Sequence, residues 1–280
     1  MDIVGDISPQ DYNRFKLFLE QASGILLGEG KQYLISSRLT KLLRDENIPS
    51  VSLLLQAIEL RQPRHLRDAV IDAMTTNETS WFRDRSPFTI LAEETFPEME
   101  ALAKRPCRIW SSACSSGQEP YTISIALTEY LERVSASCLE NTQIVATDIS
   151  RSMLATAKQA EYDEAILGRG LTAERKRQFF KPIAERWQVA DEIIRRVSFN
   201  EQNLLLTYGS LGKFDIIFCR NVLIYFSAER KKDILNRMAL ALNPGGYLFL
   251  GASETITGYS DAFDMVRSPH GVLYRLKAKS

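Results

Sequence analysis

Two histidines, His65 and His270, and four cysteines are all the imidazole and thiol ligands that 280 residues offer to a transition metal. The histidines are far apart and no C-x-x-C pair occurs, so no metal site is expected. Cys107, Cys114, Cys138 and Cys219 are read as free thiols in a reducing compartment, because disulfide frameworks belong to shorter secreted chains. A surplus of either charge is also missing. Lys plus Arg and Asp plus Glu both number 35, which argues against nucleic acid as a partner, since dedicated binders carry a basic excess. The amino terminus lacks the basic-then-apolar order of a secretory signal, and no apolar run approaches the roughly 18 residues of a membrane span. The longest, Ile216 to Phe226, is broken by Arg220 and Asn221. A soluble cytoplasmic protein with no direct membrane insertion is expected. G-x-x-x-x-G-K-[ST] and G-x-S-x-G do not occur either, which removes P-loop NTPases and α/β-hydrolases.

What is present is an ordinary globular composition, 45% hydrophobic and 25% charged, enough for one large domain or two of usual size. Up to about Ala73 the apolar residues recur at helical spacing: Phe15, Phe18, Leu19 and Ala22, then Leu34, Ile35, Leu39 and Leu42, then Leu53, Leu54, Ala57 and Ile58. This predicts a bundle of about four helices over residues 1–75. After a connecting stretch at 76–100 the period changes. Strands are predicted at Arg108–Ala113, Gln143–Asp148, Phe214–Cys219, Tyr247–Leu250 and Val272–Leu276, the last closing the sheet. Helices lie between them, capped by Ser150 and Ser227. Alternating strands and helices over 101–280 give an α/β fold with a doubly wound, mainly parallel sheet and ligands at the strands' carboxyl ends. Between about 162 and 197 the alternation breaks into a predicted helix, Thr172–Phe179, and short strands at Arg186–Ala190 and Arg196–Phe199. That stretch is an inserted β-subdomain, of a length that usually carries function.

The strand ends hold the chemistry. The first is followed by Ser111-Ser-Ala-Cys-Ser-Ser-Gly117-Gln-Glu119-Pro120, small residues with one glycine where a pyrophosphate site needs three. Glu119 at the helix start suits a cationic amine, or simply complements the helix dipole. Asp148 ends the second strand, where an acidic side chain accepts from ribose hydroxyls; the alternative is an Asp-x-Ser turn. Asn203 and Leu204 stand where an adenine edge could be read, although Asn is equally at home in a turn. Arg220 and Asn221 break an apolar run, which is costly unless they are paired or bound to ligand. Together these suit a nucleoside without phosphates that ends in an amino acid, S-adenosylmethionine. Upstream, Thr76-Asn77-Glu78-Thr79-Ser80-Trp81-Phe82-Arg83 opens with Thr75 and Glu78 at capping-box spacing, which predicts a helix start with Trp81 and Phe82 buried.

The ordered motifs Thr-Asn-x-Thr-x-x-Phe-Arg, Trp-Ser-x-Ala-x-Ser-x-Gly-x-Glu-Pro-Tyr, Ala-Thr-Asp-Ile, Asn-Leu-Leu and Phe-Cys-Arg-Asn-Val-x-Ile-Tyr-Phe resemble the CheR family over nearly the whole chain. These are bacterial chemoreceptor glutamate O-methyltransferases with a class I S-adenosylmethionine-dependent fold. The resemblance implies a cofactor site of Asn77, Thr79, Arg83, Glu119, Asp148, Asn203, Leu204, Arg220 and Asn221, with S-adenosylhomocysteine as product. Arg83 and Tyr225 are the candidate catalytic residues, Arg83 as a fork for the incoming carboxylate and Tyr225 near the methyl. Trp81 and Phe82 would wall the site from water. The partner implied is a chemoreceptor cytoplasmic domain, docked on the helical domain, where Arg38, Lys41 and Arg44 share a face at i, i+3, i+6; a solvated helix face is the alternative. Some members bind a receptor pentapeptide tether through a glycine-containing loop. Phe180–Gln188 has no glycine, so a pentapeptide-independent enzyme is expected. A small-molecule or nucleic-acid methyltransferase would be the nearest rival, and a non-catalytic sensor of the cofactor a further one.

Overall fold

The structure, a computed structural model, describes residues 7–60, 63–102 and 106–278; the outer limits expected for the two domains, residues 1 and 280, lie outside it. Four helices form the amino-terminal layer: α1 (Pro9–Ser23), α2 (Gln32–Asp45), α3 (Val51–Glu59) and α4 (Arg64–Met74). Ser8 and Ser50 cap α1 and α3 by accepting the amides of Asp11 and Leu53, leaving fewer orphan donors at the helix starts. The apolar stripes meet in one core around Phe15, Leu19, Ile35, Leu39, Leu54 and Val70, all fully buried.

The rest is a sheet with helices on its faces. In chain order come α5 (Ser86–Ile90), α6 (Phe96–Leu102), β1 (Arg108–Ser112), α7 (Gln118–Leu131), β2 (Gln143–Asp148) and α8 (Arg151–Gln159). The inserted part holds β3 (Glu161–Tyr162), α9 (Glu164–Leu167), α10 (Ala173–Phe179), β4 (Phe180–Ile183), β5 (Arg186–Val189) and α11 (Asp191–Ile194). Then follow β6 (Val197–Glu201), β7 (Phe214–Cys219), α12 (Ala228–Ala241), β8 (Leu242–Leu250), β9 (Phe263–Ser268) and β10 (Gly271–Leu276). The seven-stranded order is β6-β2-β1-β7-β8-β10-β9, parallel from β6 to β8 with β10 antiparallel to both its neighbours. The order reverses between β1 and β7, the place where such sheets bind ligands. β3, β5 and β4 make a separate antiparallel sheet.

Three expectations are corrected. The strand ending at Phe199 is not part of the insertion: β6 pairs in register with β2, Ile144 opposite Val197. β10 does not close the sheet; β9, whose Phe-Asp-Met-Val-Arg-Ser pattern buries only Phe263 fully, covers its edge. And Thr75 does not start a helix. It ends α4, donating its hydroxyl to the Asp72 carbonyl at 2.8 Å, and the chain from there to Ser80 has no helical structure.

Trp81 and Phe82 are buried, but not against the cleft described below. Trp81 meets Tyr162 and Phe180 edge-on, at 5.1 and 5.0 Å between ring centres, so it fastens the strip to the small sheet. Its amide donates to Arg169 O at 3.1 Å. The next residue, Gly170, approaches so closely that a Cβ there would lie 1.9 Å from Trp81 O, at a φ of +108°; only glycine fits. The indole Nε1–H has no partner among the described residues. The aromatic surface, not a hydrogen bond, holds Trp81 in place.

Candidate active site

A cleft of about 970 Å³, its open mouth included, lies at the sheet's switch point. Three parts of the chain wall it: Ser23 at the end of α1 with Ile25 just beyond, the strip from Met74 to Ser80 with Arg83, and the loops after β1, β2, β6 and β7. The turn after β1 is tight because Ala113, Ser115 and Gly117 all take positive φ (53°, 50° and 94°). Its amides are taken within the protein: Cys114 N–H donates to Thr147 O at 2.9 Å and Gly117 N–H to Cys114 O at 3.1 Å. At Gly117 a side chain is excluded, since a Cβ would come within 2.9 Å of that of Ala157. Ser115 Oγ donates to Asn77 O at 2.9 Å, which ties the turn to the strip.

Asp148 ends β2 with 6% exposure. Its two carboxylate oxygens accept the Ser115 amide at 2.7 Å and the Ser150 amide at 2.8 Å. The residue therefore makes the Asp-x-Ser turn and lines the cleft at once. Burial pushes its carboxyl above the usual range, opposed by those amides and that of Ile149. Each oxygen retains acceptor capacity for a donor arriving in the cleft.

Glu119, in the first turn of α7, and Arg220, just past β7, form one unit. Arg220 Nη1 donates to Glu119 Oε2 at 2.8 Å, and Ser111 Oγ donates to Glu119 Oε1 at 2.7 Å. Arg220 Nη2 donates to Asp84 Oδ2 at 2.8 Å and to Arg83 O at 2.7 Å. The guanidinium is thus taken up by protein groups, and Arg220 positions Glu119 and the Arg83 loop. That loop is unusual. Phe82, Asp84 and Arg85 have φ of 48°, 65° and 47°, a conformation that side chains with a Cβ adopt at a cost. Arg175 lies 3.7 Å over the Phe82 ring and supports it from the insertion. Arg83 lines the cleft, and its guanidinium donates to a carbonyl, Glu78 O at 2.7 Å, with no acidic partner among the described residues.

Asn77, Thr79, Leu204, Asn221 and Tyr225 also line the cleft. Tyr225 accepts the Leu26 amide on its carbonyl at 2.9 Å, bringing the loop after α1 over the cleft mouth. Asn203 is the exception among the expected cofactor residues. Its side chain faces away, donating Nδ2–H to Ala22 O at 2.8 Å and accepting the Leu205 amide at 2.9 Å. Gln202 takes its place in the cleft wall, its amide bonded to Asp148 O at 2.9 Å.

Glu254 was not foreseen. Its carboxylate accepts the amides of Asn221, Val222, Leu223 and Gly251, at 2.6, 3.0, 2.7 and 2.8 Å. One side chain thereby shapes the turn that presents Asn221, itself at φ 57°, and leads to Tyr225. The only trace in sequence is an acid in a small polar loop after β8.

Among the expected docking residues, Arg38 is occupied elsewhere. It donates to the carbonyls of Met74 and Thr75 and to Thr76 Oγ1, which caps α4 and holds the strip. Lys41 and Arg44 are exposed on α2, with no acidic partner among the described residues. No group of three metal-binding side chains occurs among the described residues.

The cleft thus offers an acceptor at Asp148 for a diol, a carboxylate at Glu119 for an ammonium, and an arginine at Arg83 for a carboxylate. The first two fit the ribose and ammonium groups of S-adenosylmethionine. Residues 10–75 match the family model of the CheR methyltransferase all-alpha domain, and residues 77–272 that of the CheR methyltransferase SAM binding domain. The chain is 52% identical over 272 residues to a chemotaxis protein methyltransferase of Vibrio parahaemolyticus, spanning 97% of this chain and 98% of that one. It is 51% identical over 269 residues to chemotaxis protein methyltransferase 1 of Pseudomonas aeruginosa, spanning 95% and 98%.

The Glu254 arrangement generates a prediction. Glu254→Gln replaces an oxygen that accepts two amides by an NH₂ group, leaving buried donors facing a donor. S-adenosylhomocysteine affinity, measured by calorimetry, should fall about tenfold or more. Unchanged affinity would mean that the turn holds its shape without this carboxylate.

Proposed function

The chain belongs to the CheR methyltransferase family, and on that premise we propose that it methyl-esterifies glutamate side chains on the cytoplasmic helices of chemoreceptors. S-adenosylmethionine, when bound, supplies an electrophilic methyl group on its sulfonium. The observation that carries the reading is Arg83: an arginine on the cleft wall with no acidic partner among the described residues, beside carboxylates that are all engaged. A substrate carboxylate completes that balance. Glutamate is already ionised at neutral pH, so no general base is needed. Arg83 holds the carboxylate in its planar fork and fixes its line of attack. Asp148 accepts from the ribose hydroxyls and Glu119 takes the ammonium. Asn77, Thr79, Gln202 and Leu204 complete the nucleoside wall, and Arg220 and Asn221 shape it from the far side. Ile25, Val222, Tyr225 and Phe226 keep water from the nucleophile. Lys41 and Arg44 on α2 supply a positive face for an acidic receptor helix.

The small sheet supports independence from a receptor pentapeptide. β4 and β5 join through two residues only, Ala184 and Glu185, with Ile183 paired to Arg186. No extended glycine-containing loop remains to receive a tether.

Incubation with labelled cofactor and receptor cytoplasmic fragments, read as base-labile methyl esters, tests the reaction; no ester in any fragment sinks it. In that assay Arg83→Ala should lower kcat by about a hundredfold, with cofactor affinity little changed. Full retained activity would remove Arg83 from the chemistry. Replacing Lys41 and Arg44 together by Glu should raise KM for the fragment and leave S-adenosylhomocysteine affinity as it was; an unaltered KM would show α2 to be merely solvated. Calorimetric titration with a receptor carboxyl-terminal pentapeptide should give no heat of binding, and tight binding would refute the tether-free reading.

A further inference from the structure

A second, open groove runs beside the cleft. Ser80–Arg85 form one wall and Arg169 with Gly170 the other. Ser80 and Arg83 line both hollows, so the groove adjoins the cleft. Its walls are fixed to each other: Trp81 N donates to Arg169 O at 3.1 Å, and Gly170 packs on the Trp81 carbonyl too closely for any side chain.

The charges in this groove are unevenly matched. Asp84 is held by Arg220 at 2.8 Å, and Glu78 is engaged by Arg169. The acids of the adjoining hollow are taken as well: Glu129 by Arg175 at 2.6 Å and Glu93 by His270 at 3.0 Å. Arg85 is exposed and, among the described residues, has no acidic partner; neither has Arg83. Two guanidinium side chains thus stand two residues apart with no carboxylate pairing either of them among the described residues. Two residues of chain reach at most about 7 Å. Side chains one turn apart on a helix have Cβ atoms about 5–6 Å apart. Both arginines line the groove and Arg83 also lines the cleft, so a helix whose carboxylate reaches Arg83 can present a second one, a turn away, to Arg85.

We propose that this groove binds an acidic residue one helical turn from the glutamate that is methylated, with Arg85 as its partner. The proposal rests on the reading above that the substrate is a helical protein segment. Methyl transfer itself requires only one carboxylate, so Arg85 selects substrate and takes no part in bond making. It sorts acidic helices from neutral ones at the rim, where an opposite charge favours the correct partner and a like charge penalises the wrong one.

The test uses synthetic helical peptides carrying one target glutamate, with glutamate, glutamine or lysine one turn away. Each is titrated calorimetrically into the full-length protein saturated with S-adenosylhomocysteine, so that no turnover occurs. The wild-type protein should bind the glutamate-flanked peptide about fivefold more tightly than the glutamine-flanked one, as for an exposed charge pair. Arg85→Asn, whose side chain tolerates a positive φ, should bring that ratio to about one. Arg85→Glu should invert the preference toward the lysine-flanked peptide. No preference in the wild-type protein, or a preference that survives Arg85→Asn, overturns the assignment. Methyl-ester formation on the same peptides is read separately: its absence counts against the proposed reaction, while the affinity ratio continues to judge the groove.

Discussion

Arg220 places a full positive charge at the end of β7 with 1% of its side chain exposed, answered by Glu119, Asp84 and the carbonyl of Arg83. Burying an ion costs several kcal/mol unless partners and hydrogen bonds replace its water. Here the replacement comes from two distant parts of the chain. Glu119 arrives on α7 and Asp84 on the strip before α5, so the guanidinium settles where both elements stand relative to the sheet. Its Nε alone has no hydrogen-bond partner among the described residues. The Phe88 ring, 5.3 Å from the guanidinium carbon, offers its π-face instead. Phe88 stacks on Phe218, and Phe218 on Phe249, at 5.9 and 4.5 Å, so the support beneath Arg220 continues into the middle of the sheet.

The positive φ values at Phe82, Asp84 and Arg85 make sense only in that frame. Left-handed residues with side chains cost roughly 1–2 kcal/mol each, and an isolated loop would relax. Arg220 holds two groups of this one, Arg175 stacks on a third, and the Phe82 amide donates to Thr122 Oγ1 at 3.3 Å. Arg83 therefore leaves the loop at a fixed angle, while its guanidinium donates to the Glu78 carbonyl and, among the described residues, has no acidic partner. A rigid backbone under an uncommitted guanidinium is what capture of a carboxylate from outside requires.

The helical layer belongs to the same device. Leu26 bonds to Tyr225 O, Asn203 reaches Ala22 O, and Arg38 grips the end of α4 and Thr76. Arg151 pairs with Asp68 of α4 and Glu201 of β6 at 2.9 and 2.7 Å, although these exposed pairs add little energy. The cleft is incomplete without Ser23, Ile25 and residues 74–80, so neither layer builds the site alone. Lys41 and Arg44 then sit on a helix whose partner, α4, ends in the cofactor strip. Under the proposed function, a receptor helix lying on α2 would be held at a set position from Arg83.

Sequence patterns located chain positions better than they located atoms. β2 was legible to the residue because an apolar run ends sharply at Asp148, and Ser150 and Ser227 were legible as caps because that role needs only a local hydroxyl. The capping-box spacing of Thr75 and Glu78 misled for the converse reason. Local spacing favoured a helix, but burial of Trp81 between Tyr162 and Phe180 pulls the strip straight, a tertiary gain that outweighs one cap. Asn203 and Gln202 show the limit most sharply. Both are side-chain amides at the end of β6, and strand alternation decides which faces the cleft, yet the alternation cannot be phased where β6 is an edge strand with neither face fully buried. Arg220 was conspicuous because a charge in an apolar run must be answered, although its answer proved to be Glu119 and Asp84. Glu254 was invisible for the opposite reason. Its four partners are backbone amides, which every residue has, so no side-chain pattern could announce that the turn needed a carboxylate.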